Sequence, residues 1–331
     1  MAKMRHPIHE SSEESLFGSL TPEQFYAKHG VTHSTEHITN SRGIRLFTQS
    51  WRPKISPIGC VAVVHGFCAE SSWLLQLTSV LIASSGFSVC AIDHQGHGFS
   101  DGLIYHIPDI SLLVDDCIAF FSDYRAKYAP NLPSFIYAES LGGAISLYIV
   151  LRQKGLWNGL VLQGAMCGIS QTLKPPWPLE HLLKIAAKVV PTWHMIPTRR
   201  SIPELSFKVE WKRRLAVRSP RRVDMGPRAS TAFELLRACK ELQGKFEEVE
   251  VPLLIVHGED DVVCDPECVK SLYKRAASSD KTLKLYPGMW HQLAGEPEDS
   301  VDLVFGDIIE FLQTRAAAYS SHIGDAPPHT V

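Results

Sequence analysis

No stretch of the 331-residue chain is apolar and uninterrupted for the roughly 20 residues that a membrane-spanning helix takes. Nor does the chain open on an apolar h-region. Residues 1–30 are polar and include His6, His9, Glu10, Glu13 and Glu14, so a secretory segment is not expected. An excess of basic charge is also lacking. Lys and Arg total 33 against 35 Asp and Glu, a formal net charge of -2, so nucleic acid is not an expected partner. The eight cysteines (Cys60, Cys68, Cys90, Cys117, Cys167, Cys239, Cys264 and Cys268) form no framework. Only the last two are close, and no second pair sits at zinc-ligand spacing. Reduced thiols and a cytoplasmic, non-secreted setting are expected. There is no internal repeat and no low-complexity block.

What the chain does have is ordinary globular material, 45% hydrophobic and 21% charged, enough for one large α/β domain or two smaller ones. A run apolar on both faces occurs at residues 59–64, further apolar runs at 134–138 and 159–163, and strands also read at 87–92, 251–257 and 283–286. Helical spacing of apolar residues separates them, at 72–84, 110–128, 141–151, 231–242, 266–278 and 301–318. Strands alternating with helices predict βαβ units and a mostly parallel sheet with helices on both faces. Residues 1–40 read as an N-terminal arm with one short helix near residues 21–29, capped by Thr21 with Pro22 in its first turn. Residues 41–164 form the first part of the core. Alternation then stops over residues 165–229, which carry many prolines and a cationic cluster from Lys208 to Arg222, and this segment reads as an inserted helical cap. The core resumes over 230–319, and 320–331 is a small, polar tail expected to be flexible.

In such sheets ligands gather where strands end at their carboxyl side. Four of these loops carry chemistry. After the strand near residue 138 comes Ala138-Glu139-Ser140-Leu141-Gly142-Gly143, a serine on a tight strand-to-helix turn flanked by small residues. Taken alone, this is equally a serine N-cap beside packing glycines. After Val64 come His65, Gly66, Phe67 and Cys68, where a sharp turn can aim the Phe67 N–H at the serine, with the Leu141 N–H as second oxyanion donor. Glu259, Asp260, Asp261 and Asp265 follow the next-to-last strand and compete as the acid that orients a histidine. His291 follows the last strand, beyond Pro287-Gly288. Each signal is weak singly; together they give the chain order serine, acid, histidine that belongs to the α/β-hydrolase scaffold.

From residue 43 onward the chain resembles α/β-hydrolases of the monoacylglycerol lipase type, in particular the plant branch of caffeoylshikimate esterases and lysophospholipase-like proteins. The resemblance rests on Val64-His65-Gly66, the string Asp93-His94-Gln95-Gly96-His97-Gly98-Phe99-Ser100-Asp101-Gly102, Glu139-Ser140-Leu141-Gly142-Gly143, Gly164-Ala165-Met166-Cys167, His257-Gly258 with Asp261, and Tyr286-Pro287-Gly288-Met289-Trp290-His291. It implies Ser140 as nucleophile, His291 as base and Asp261 as the orienting acid, acting without metal or organic cofactor. Two positions depart from the pattern. Ala138 stands where the elbow's first glycine is usual, and Phe67-Cys68-Ala69-Glu70 is bulkier than in many relatives. The expected substrate is a small-molecule or lipid monoester: a monoacylglycerol, lysophospholipid or hydroxycinnamoyl ester. His65, Trp177, Trp193 and Met195 are expected to line its cavity, and the cap to make peripheral membrane contact. The same residues suit an acyltransferase, or a non-hydrolytic receptor on the same fold.

Overall fold

The computed structural model describes residues 5–170, 174, 179–194 and 201–324. The strands are β1 (Val31–Thr39), β2 (Arg45–Pro53), β3 (Gly59–Val64), β4 (Phe87–Ile92), β5 (Ser134–Glu139), β6 (Gly159–Gln163), β7 (Leu253–Gly258) and β8 (Lys281–Tyr286). They form one sheet in the order β1-β2-β4-β3-β5-β6-β7-β8. The β1–β2 and β2–β4 pairs are antiparallel, and all the others are parallel.

Strand alternation builds two cores from one sheet. Cys60, Ala62 and Val64 of β3 point to one face, where they meet α3 (Ile110–Tyr128), α4 (Leu141–Arg152), α8 (Ala229–Gln243) and α9 (Pro266–Arg275). Val61 and Val63 point to the other, against α2 (Leu74–Ser84) and α10 (Glu298–Gly324). Being covered twice, β3 to β7 are buried at every position, which is why they read as apolar runs.

The N-terminal 40 residues are more than an arm. Thr21 and Gln24 close a reciprocal capping box on α1 (Pro22–Lys28), and Ile8 and Phe25 are fully buried against α2 and α10. Residues 31–39 become the antiparallel edge strand β1. That strand, Val-Thr-His-Ser-Thr-Glu-His-Ile-Thr, is mostly exposed, so it shows no apolar pattern and goes undetected in the sequence. β2 runs as far as Pro53, where pairing with Val31 of the edge strand tolerates the proline. At the other end, α10 runs on to Gly324, so residues 320–324 belong to a helix, while 325–331 lie outside the described residues.

Residues 165–170 also lie within the body: Ala165, Met166 and Cys167 are buried, and Ile169 bridges to Cys264. Within the segment expected to be a cap, the described helices are α5 (Leu179–Val189), α6 (Ile202–Ser206) and α7 (Glu210–Val217). α5 rests on α8 through Leu183, Ala229 and Ala232. α7 is tied to the body by Trp73 Nε1, which donates to the Leu215 carbonyl at 2.7 Å.

Candidate active site

The turn between β5 and α4 holds Ser140 at φ 52° and ψ -118°, a conformation that L-residues adopt only when the surroundings over-determine it. Three backbone hydrogen bonds do so: Ser140 N–H donates to Gln163 O at 3.1 Å, and Ser140 O accepts from Gly143 and Met166 N–H at 2.8 Å each. The glycines are steric requirements. A Cβ on Gly142 would lie 2.2 Å from Val64 O, and one on Gly66 would press on Ser140 Cβ at 3.1 Å. Ala138 causes no conflict, because it is an ordinary strand residue, paired with Val64 and Leu162 two positions before the turn.

Asp261 and His291 come from the loops after β7 and β8. His291 Nδ1 is 2.7 Å from Asp261 Oδ2, and Nε2 is 3.1 Å from Ser140 Oγ. An ionised carboxylate only accepts, so Nδ1 carries the proton and Nε2 is left to accept from the serine hydroxyl. The other Asp261 oxygen accepts from the Val263 and Cys264 N–H groups at 2.7 and 3.0 Å. Among the competing acids, Glu259 and Asp260 are exposed, and Asp265 caps α9 through Glu267 N–H. Burial works against the charge on Asp261, yet the adjoining His291 and His257 imidazoles outweigh it and hold the carboxyl well below the usual range. Burial likewise disfavours a charged His291, and the Asp261 carboxylate reverses this, so the imidazole titrates above its ordinary value of 6.5. Asp261 and His291 are buried, whereas Ser140 is the member partly open to the cavity.

A further set of side chains fixes the His291 loop. Gln163 Nε2 donates to His291 O at 3.2 Å, Trp290 N–H to Glu296 Oε1 at 2.7 Å, and Gln292 Nε2 to Glu139 Oε2 at 2.9 Å. Burial pushes Glu139 up, and Tyr137 OH donates to its second oxygen at 2.7 Å. Lys212 of α7 is 1% exposed and places Nζ on the carbonyls of Ala294 (3.0 Å) and Glu296 (2.6 Å). None of these residues is singled out by the sequence. Glu139 stands beside the motif serine, but Lys212 is indistinguishable there from its solvated cationic neighbours.

A cavity of about 110 Å³ opens over Ser140 and His291, walled by Phe67, Trp73, Leu75, Ile202, Phe207 and Arg222 among others. Phe67 follows Gly66 in this wall, and Leu141 opens α4, where first-turn N–H groups have no intrahelical acceptor. The expectation that His65 meets substrate is corrected. Its ring is fully buried, donating from Nδ1 to Gly66 O at 2.8 Å and accepting at Nε2 from His94 N–H at 2.9 Å, within a cluster with His94 and His97. Trp193 is 65% exposed and does not line the cavity. Trp177 and Met195 lie outside the described residues. A larger recess, about 330 Å³, lies between β1, β2 and α3 and contains none of the three candidate residues. Asp261, Cys264 and His291 have donor atoms within 4.8 Å of one another. Burial keeps the Cys264 thiol protonated, and both imidazole nitrogens of His291 are engaged, so the set is a poor fit to a metal ion.

A mostly parallel sheet flanked by helices, a serine on a strained strand-to-helix turn, and an acid and a histidine on the following strand ends define an α/β-hydrolase. Residues 55–298 match the family model for serine aminopeptidase, S33, and the chain belongs to that family. It is 31% identical to the caffeoylshikimate esterase of Arabidopsis thaliana over 93% of both chains. It is 28% identical to the human monoglyceride lipase over 85% of this chain and 91% of the relative. Among solved structures, a soluble variant of the Saccharomyces cerevisiae monoglyceride lipase in complex with a substrate analog aligns with a TM-score of 0.76 at 21% identity, covering 86% of this chain and 95% of the other. The chain is thus a serine hydrolase by family, with ester hydrolases as its named relatives.

Proposed function

We propose that this protein hydrolyses carboxylic monoesters with Ser140 as nucleophile, His291 as general base and Asp261 as orienting acid. The observation that carries this reading is the unbroken hydrogen-bonded line from Asp261 through His291 to Ser140, ending on a hydroxyl that the elbow turns toward a cavity. His291 Nε2 takes the Ser140 proton as Oγ attacks the ester carbonyl carbon. The Phe67 and Leu141 N–H groups receive the developing oxyanion. Collapse breaks the bond to the alcohol, which takes the proton back from His291. Water then repeats the sequence on the acyl-enzyme, releasing the acid and restoring Ser140. The relatives' names point to monoacylglycerol-like or hydroxycinnamoyl esters.

We also place the protein at lipid surfaces inside the cytoplasm. No described helix is long and apolar enough to cross a membrane. In the cap, however, Leu182, Ile185 and Val189 of α5 are 53%, 60% and 72% exposed, and Trp193 follows them. An apolar stripe beside the exposed Lys184 and Lys188 suits shallow insertion into an anionic interface. The eight free, buried cysteines suit a reducing compartment.

A fluorophosphonate probe tests the core reading, followed by a panel of monoacylglycerols, lysophospholipids and hydroxycinnamoyl esters. Labelling at Ser140 and turnover of at least one class are expected; a protein that binds these esters but neither labels nor turns over is a receptor, and the reading fails.

A further inference from the structure

The structure sorts the cationic cluster of the cap residue by residue. Lys212 is consumed by two backbone carbonyls, and Lys208 Nζ donates to Gly288 O at 2.8 Å. Arg213 and Arg214 pair with Glu210, Arg221 donates to Gly98 O and lies over Phe99, and Arg218 is exposed at the end of α7. Arg222 alone among these lines the cavity that contains Ser140 and His291.

Arg222 is also poorly neutralised there. Its side chain is only 12% exposed, and its ion-pair partner is Asp224, at 3.8 Å and itself 82% exposed. Among the described residues this long, solvated pair is the partner its guanidinium has, and a desolvated cation is costly until an anion meets it. The carboxyls of the same wall do not fill the role. Glu70 feels the Arg222 charge, but its carboxyl is committed to the Ser219 hydroxyl and burial outweighs the cation, raising it to about 7. Glu139 is held by Tyr137 and Gln292.

Building on Ser140 as the nucleophile, we propose that Arg222 is a specificity residue that recognises an anionic group on the substrate. The ester cleaved at Ser140 then carries a carboxylate or phosphate on the part lying beneath the cap. A planar guanidinium meets either oxyanion with two parallel N–H···O bonds, which a neutral glycerol or alcohol cannot reproduce. An uncharged monoester would leave the desolvated cation with only its long pair to Asp224.

Two matched pairs separate the two sources of the anion: caffeoylshikimate against its carboxyl methyl ester, and 1-acylglycerol 3-phosphate against the 1-acylglycerol. The readout is the ratio of kcat/KM, anionic over neutral, for wild type, Arg222→Gln, Arg222→Lys and Arg218→Gln. The expected result is a ratio of about tenfold or more in one pair, a fall of that ratio by about tenfold in Arg222→Gln, partial retention in Arg222→Lys and no change in Arg218→Gln. The pair that responds identifies the oxyanion. Wild-type ratios of one or less in both pairs, or a ratio preserved in Arg222→Gln, overturn the proposal. So does hydrolysis of neither pair while Ser140 still labels with a fluorophosphonate, which leaves the nucleophile intact. Absence of labelling is the distinct failure, that of the serine-hydrolase reading itself.

Discussion

At the residue scale the site depends on which proton sits where. Asp261, kept ionised by its imidazole neighbours, fixes the Nδ1–H tautomer of His291, and that leaves Nε2 able to accept from Ser140. Asp261→Asn loses this control, because an amide can also present its N–H to Nδ1. We expect kcat to fall by about 10⁴ with KM little changed. The pH profile gives a second reading of the same pair. As the proposed general base His291 has to be neutral, and its pKa is raised above 6.5, so we expect kcat/KM to be retained at higher pH and lost as pH falls through a value above 6.5. Asp261→Asn removes the anion responsible and moves that limb to lower pH; a limb that stays in place contradicts the electrostatic account. Gly142 is a backbone problem of the same scale. With Val64 O only 2.2 Å from an added Cβ, Gly142→Ala has to push β3 and the elbow apart, and about 10²-fold or more of kcat/KM is expected to be lost in ester assays.

At the element scale, α7 and the loop after β8 that carries His291 are fastened to each other. Lys212 projects from α7 into the loop after β8 and holds Ala294 O and Glu296 O, while the Glu296 carboxylate holds Trp290 N–H, next to His291. Burial lowers Lys212 to about 8 without discharging it at neutral pH. Lys212→Met keeps the aliphatic stem but strands two buried carbonyls, a cost of about 1–3 kcal/mol for each unpaired group. We expect a lower thermal midpoint by calorimetry together with reduced kcat toward esters. A variant with wild-type stability and rate shows that the loop is held by other contacts. This fastening is illegible in the sequence. Ser140, His291 and the glycines around them announce themselves because a sharp turn tolerates few residue types, whereas Lys212 sits among six other cations and is distinguished only by its burial. The competition among Glu259, Asp260, Asp261 and Asp265 is likewise settled by geometry, since three of the four face solvent or cap a helix.

For the molecule as a whole, β3 to β7 are readable because strands covered on both faces are mostly apolar. β1 is not, since an edge strand with one exposed face reads as polar chain. His65 was misplaced for a related reason: a histidine beside a functional loop looks like a ligand group until its two ring nitrogens are found spent on Gly66 and the His94 backbone. The exposed stripe on α5 belongs to this scale too. Ile185→Glu, at a position 60% exposed, is expected to leave stability unchanged while reducing co-sedimentation with anionic vesicles several-fold at low salt. Equal binding by the two proteins contradicts peripheral contact through this helix. All of these features converge on one hydroxyl, and the most direct measurement is turnover of a p-nitrophenyl ester by wild type and Ser140→Ala, with folding of both checked by circular dichroism. The account predicts a loss on the order of 10³-fold or greater in the folded variant. Turnover by Ser140→Ala at the wild-type rate contradicts it.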